Sequence, residues 1–168
     1  MAHPLLPQRS NFFSAEDVLI MDALELLKND HHKVKQLFAQ AQQSEDKKQQ
    51  KQVFREIKSE LATHTRIEES IFYHAMQEYE ELKDMVLESL EEHRQMKTVL
   101  RELSRLSAGS AKFAPKLKVL KDDVEHHAEE EEEGKMFVQV AKVVESVELE
   151  RLGEELEAAK HKRLRKAS

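Results

Sequence analysis

His64 is followed four residues later by Glu68, and further along the chain His127 is followed four residues later by Glu131. Residues four apart share a helix face, so each pair offers an imidazole nitrogen and a carboxylate oxygen to one centre. That donor mix, without sulfur, suits iron, zinc or manganese, and the chain contains no cysteine to change it. Two more histidines stand in matching surroundings. His31 in NDHHKVKQLFAQ and His93 in EEHRQMKTVLRE each follow an acidic residue and precede an apolar stripe.

Helix phase sorts the nine histidines. At about 100° per residue, positions seven apart point almost the same way. His64 lies seven after Ile57, and Glu68 seven after Leu61. His31 lies four after Leu27 and seven before Phe38, and His93 seven after Val86. His127 lies seven after Leu120, with Glu131 seven after Val124. All six therefore point inward. His126 falls on the polar side, although a phase one residue earlier would substitute His126 and Glu130. His32 is displaced, and His3, His74 and His161 join no inward cluster. A lone inward histidine is usually a hydrogen-bonded core residue. Two carboxylates buried without a cation would cost several kcal/mol each, so six inward polar groups together point to metal. They are too many for one tetrahedral zinc and suit two cations bridged by Glu68 and Glu131.

These residues need long helices to carry them. Apolar residues recur at helical spacing over about Ala23–Ala41, Gln52–Tyr79, Lys83–Leu106 and Lys116–Val144, with a fifth segment from Leu149 to Leu164. The polar stretch SEDKKQQK reads as a connector between the first two, and SAGSAKFAP as a loop between the third and fourth. Three glycines, three prolines and 36% charged residues leave little material for strands or hairpins. The expected fold is all-α, an up-down-up-down four-helix bundle. Residues 1–20 form an N-terminal arm, 21–145 the bundle, and 146–168 a C-terminal helix with a basic tail. The spacing from His31 to His64 nearly equals that from His93 to His127, so the second half reads as a copy of the first. A net charge of −6 argues against a nucleic-acid partner. No apolar run has the length of a membrane span, and the lack of cysteine suits a reducing cytoplasm.

The segments DHHKV, HTRIEESIFY, EEHRQ and HHAEEEEEGKMF, in that order, resemble the hemerythrin-like family, or HHE cation-binding domain, over roughly Met21 to Val144. The resemblance implies a non-heme di-iron centre, bridged by solvent and carboxylate. Its ligands would be His31, His64, Glu68, His93, His127 and Glu131, the set that helix phase selects. Oxygen-carrying members have a second histidine four residues after the third-helix one, where this chain has Lys97. They also place an aspartate five residues after the fourth-helix histidine, whereas Glu131 follows at four. Lys97 either approaches the site beside an open coordination position or snorkels outward. Phe137 is out of phase with Val124, and a π-bulge between Glu131 and Met136 would restore it. The implied function is binding or sensing of oxygen, nitric oxide, peroxide or iron. The alternatives are a di-iron oxidase or peroxide-consuming enzyme, and a purely structural bundle.

Overall fold

The computed structural model describes residues 21–167, with side chains as far as Arg163. The N-terminal arm expected over residues 1–20 lies outside the described residues. The chain folds as a helical bundle with an extra C-terminal helix: α1 (Ala23–Gln43), α2 (Lys47–Ile67), α3 (Tyr73–Met76), α4 (Lys83–Arg105), α5 (Phe113–Glu125), α6 (Phe137–Val143) and α7 (Ser146–Ala167). α2 and α3 form one rod, joined by a π-helical turn over Glu68–Phe72. α5 and α6 are likewise joined by a longer π-helical segment, His126–Met136. α1 pairs with α2, α4 with α5, and α7 lies against α1 and α2. No helix among the described residues is long and apolar enough to cross a membrane.

Capping explains where the first two helices begin. The Asp22 carboxylate accepts from the Glu25 N–H at 2.9 Å, and that of Asp46 from the Lys48 N–H at 2.8 Å. The expected connector SEDKKQQK therefore shrinks to Ser44–Asp46, and α2 starts well before Gln52. Lysine and glutamine are good helix formers, and here they also find partners. Gln50 donates to the Ala41 carbonyl at 3.0 Å. Lys51 donates to the carbonyls of Leu103 and Leu106, at 2.9 and 2.7 Å, at the end of α4. Its ammonium also lies 4.9 and 4.8 Å from the ring centres of Phe54 and Phe113.

The core falls into two apolar layers. One gathers Leu27, Ile67, Phe72, Tyr73, Val86, Phe137 and Leu152; the other gathers Val34, Phe38, Ile57, Leu61, Met96, Leu120 and Val124. Between them, one buried polar residue or pair interrupts the stripe of each long rod: His31, His64 with Glu68, His93, and His127 with Glu132. α7 closes the end of the first layer with Leu149, Leu152 and Leu156. It approaches the start of α1 so closely that a Cβ on Gly153 would stand 2.2 Å from the Met21 carbonyl oxygen.

Candidate metal centre

Four imidazoles meet in the polar layer with their Nε2 atoms turned inward. His31 Nε2 lies 3.1 Å from His64 Nε2, and His93 Nε2 lies 3.1 Å from His127 Nε2. Two carboxylates cross-link these pairs. Glu68 Oε2 is 3.1 Å from His64 Nε2 and 3.3 Å from His93 Nε2. Glu132 Oε2 is 3.0 Å from His31 Nε2 and 3.5 Å from His127 Nε2. Each carboxylate thus faces one histidine from each half of the chain. The donors form two overlapping sets: His31, His64, Glu68 and Glu132, and Glu68, His93 and His127.

Glu131 is the one predicted ligand that the structure leaves outside. Its carboxylate takes both oxygens to Lys135 Nζ, at 2.6 and 2.8 Å, and lies 3.5 Å from the exposed His126. Glu132, fully buried, stands in its place. Backbone geometry accounts for the change. The Glu68 N–H still bonds back to the His64 carbonyl in an ordinary α-helical turn, so four residues return to the same face. His127 lies inside the π-helical segment, where i→i+5 bonding makes five residues complete the turn. The π-helix expected between Glu131 and Met136 thus begins earlier, at His126, and moves the ligand as well as Phe137. His126 and Glu130 pair with each other at 3.2 Å on the surface, so the alternative phase does not enter the centre either.

Three of the four outward-facing nitrogens meet a carboxylate. Nδ1 of His31 donates to Glu133 at 2.7 Å, that of His93 to Glu69 at 2.9 Å, and that of His127 to Glu92 at 2.6 Å. These bonds hold the Nδ1 proton and leave Nε2 to the interior. His64 Nδ1 is 3.7 Å from Asp30 Oδ2, too far for a hydrogen bond, and Asp30 is paired with Lys160 of α7. Lys97 neither enters the centre nor stands in solvent alone. Its ammonium pairs with Glu69, the carboxylate that holds His93.

Tyr73 is the residue that sequence reasoning passed over. Its hydroxyl donates to Glu132 Oε1 at 2.5 Å and lies 3.5 Å from His93 Nε2. The signal was the aromatic end of HTRIEESIFY, and the π-helical turn before it aims the phenol into the polar layer. Burial, with Glu132 and Glu68 nearby, pushes the phenol well above its usual range, so it remains a donor.

The protonation pattern without cations shows how strongly the site attracts positive charge. Burial opposes a charged His31, yet Glu132 and Glu133 outweigh it and raise the ring to about 10. His93 rises to about 9 by the same contest, with Glu68 and Glu69 as its partners. Glu132 is held low by His127, His31 and His64 in spite of complete burial. His93 and Lys97 bring Glu69 down to about 2. Both oxygens of Glu68 and Oε2 of Glu132 are buried without a hydrogen-bond partner. Native interiors rarely leave carboxylate oxygens in that state, and cations would satisfy all three. Beside the histidines, a cavity of about 10 Å³ is walled by Val34, Leu61, Met96 and Val124.

A helical bundle whose polar layer presents imidazole and carboxylate donors in two overlapping sets is the build of a cation-binding domain. The hemerythrin HHE cation binding domain matches residues 22–137, and the chain belongs to that family. A solved hemerythrin HHE cation binding domain-containing protein from Mycobacterium kansasii superposes with a TM-score of 0.74 at 28% identity. The match covers 84% of this chain and 86% of that one. A Nostoc sp. (strain PCC 7120) protein named DNA nickase is 28% identical over 142 residues, 84% of this chain. The chain spans 40% of that relative's length.

Proposed function

We propose that the protein is a non-heme di-iron protein that binds or senses a small oxidant or diatomic ligand: oxygen, nitric oxide or peroxide. The observation that carries this reading is the set of unpartnered, buried oxygens on Glu68 and Glu132 between four inward Nε2 atoms. One ion would be held by His31, His64, Glu68 and Glu132, the other by Glu68, His93 and His127, with Glu132 Oε2 within reach of His127. Imidazole and carboxylate donors suit iron, with zinc and manganese as competitors. A bound pair of irons supplies reversible ligand binding or one-electron chemistry at a site closed to bulk water. The protein's own part is to orient three of the four rings through Glu133, Glu69 and Glu92, and to keep a proton on the Tyr73 oxygen. The apolar cavity beside the rings, about 10 Å³, is at the lower limit for a single water. A second reading, a di-iron oxidase or peroxide-consuming enzyme, draws on that phenol, which stands ready beside the three-donor set. The nickase activity named for the Nostoc relative is not carried over, since most of that protein has no counterpart here.

Metal analysis of the purified protein tests the reading directly. Two irons per chain are expected, with a visible spectrum that changes on exposure to oxygen, nitric oxide or peroxide. Turnover of peroxide beyond one equivalent would favour the enzyme. One zinc per chain, or no metal after anaerobic incubation with ferrous iron, would overturn both.

A further inference from the structure

Away from the metal centre, α2, α4 and the end of α7 enclose a groove of about 550 Å³ that gathers positive charge on a protein of net charge −6. Lys58 and Arg66 come from α2, Arg94, Lys97 and Arg101 from α4, and Arg163 from α7. Two of these cations are committed: Lys97 to Glu69, and Arg94 to Glu91 at 2.7 Å. The guanidinium of Arg101 donates only to its own helix, to the Lys97 carbonyl and the Thr98 hydroxyl. Among the described residues, no carboxylate lies within ion-pair distance of Lys58, Arg66, Arg101 or Arg163. A neighbouring hollow shares Arg66 and Arg163 and adds Lys162, so the positive surface continues along α7.

Like charges placed together without counterions repel one another, and nothing in the packing of the bundle requires them here. Their spacing over three helices suits an anion with several oxygens, which guanidinium groups bind in bidentate fashion. The lining is not charged throughout. Ala62, Leu100 and Thr65 contribute to it beside the basic residues and Glu69, and guanidinium planes also stack on aromatic rings. The volume falls within the ordinary range for small-molecule sites. The positive region is also bounded. Glu91 is held at its rim by Arg94, and Glu102, next to Arg101, is paired with Lys116. A long polyanion would meet those carboxylates, whereas a compact one would meet only Glu69, which lines the groove and is already paired with Lys97. We propose that this groove is a binding site for an organic phosphate of nucleotide size, with its phosphates on Arg66, Arg101 and Arg163 and its apolar portion on Leu100 and Ala62. The proposal stands whether or not the metal reading does.

Fluorescence anisotropy of N-methylanthraniloyl-ADP, titrated with the full-length protein as purified, is the test. Saturable binding is expected, displaced by unlabelled ADP. Reversing two charges, Arg66→Glu with Arg101→Glu, removes two charge-assisted contacts and should weaken binding by at least about tenfold. Lys118→Glu on α5 should leave it unchanged. Arg66→Gln with Arg101→Gln, which only neutralises, should fall between the two and serves if the reversed variant does not fold. No saturable binding, or binding that survives both double variants, would overturn the site. Inorganic tripolyphosphate competing as well as ADP would overturn the assignment of an organic portion. A short DNA duplex competing better than ADP per phosphate would replace the small ligand with nucleic acid.

Discussion

Glu131 and Glu132 are adjacent and chemically identical, and the fold gives them opposite surroundings. Glu132 stands among His31, His127 and Tyr73, while Glu131 stands outside the centre, paired with the exposed Lys135. Replacing each with Ala separates the roles. Glu132→Ala should lose most of the metal, and Glu131→Ala should keep the parent content. Equal metal content in the two variants would refute the π-helical register. Tyr73→Phe tests the phenol. It keeps the ring packing and removes the donor to Glu132 Oε1. The metal-free protein should be destabilised by roughly 1–3 kcal/mol, the cost of leaving a buried acceptor unpaired. Metal content by mass spectrometry should be preserved, since the phenol belongs to neither donor set. An unaltered denaturation midpoint would mean that the bond carries no net stability.

At the scale of elements, most of the bundle was legible because apolar spacing of three and four persists through each long helix. Five of the six residues expected in the centre came from the same count: His31, His64 and His93 lie in stretches wound at the ordinary α-helical pitch, and Glu68 and His127 stand at the start of π-helical ones. The count failed where the pitch changes. Between His126 and Met136 a turn takes an extra residue, and the run of five glutamates offers a carboxylate at every phase, so composition could not reveal the shift. Phe137 carried the only hint, being out of phase with Val124, and it stacks on the His31 ring at 6.1 Å in the structure. The early start of α2 was hidden because its first turns are polar on the outside and find partners only in tertiary structure. α7 shows a further dependence on close packing. Gly153→Ala would place a methyl group 2.2 Å from the Met21 carbonyl oxygen and 2.9 Å from the Asp22 carbonyl carbon. Backbone there cannot yield cheaply, so α7 must lift from α1. The variant should melt below the parent by an amount in the overpacking range of about 1–3 kcal/mol, read by thermal denaturation. A rise in melting temperature from the better helix propensity of alanine would show that the two helices separate without cost.

For the whole molecule, one charged layer sits between two apolar ones, and its stability depends on what neutralises the acids. Without cations, protons on the histidines do so. His31 and His93, raised to about 10 and about 9 in the fold, stabilise it fully below their ordinary value of 6.5. That contribution is lost as pH rises through the folded values. Glu132 and Glu69 act in the opposite sense. Both are lowered, so their contribution is present above the ordinary glutamate value of 4.5 and is lost as pH falls toward their folded values. The metal-free protein should therefore be most stable between these limits, in mildly acidic solution, and should weaken steadily toward pH 9. Cations take the place of the Nε2 protons and bind the deprotonated ring, so the metal-loaded protein escapes the alkaline loss. Melting temperatures measured across pH 5 to 9, with ferrous iron loaded anaerobically and with a chelator present, should diverge as pH rises past the ordinary histidine value. A constant gap would mean that the histidines do not exchange protons for metal, and a gap that narrows with pH would place the cations elsewhere than on the four inward rings.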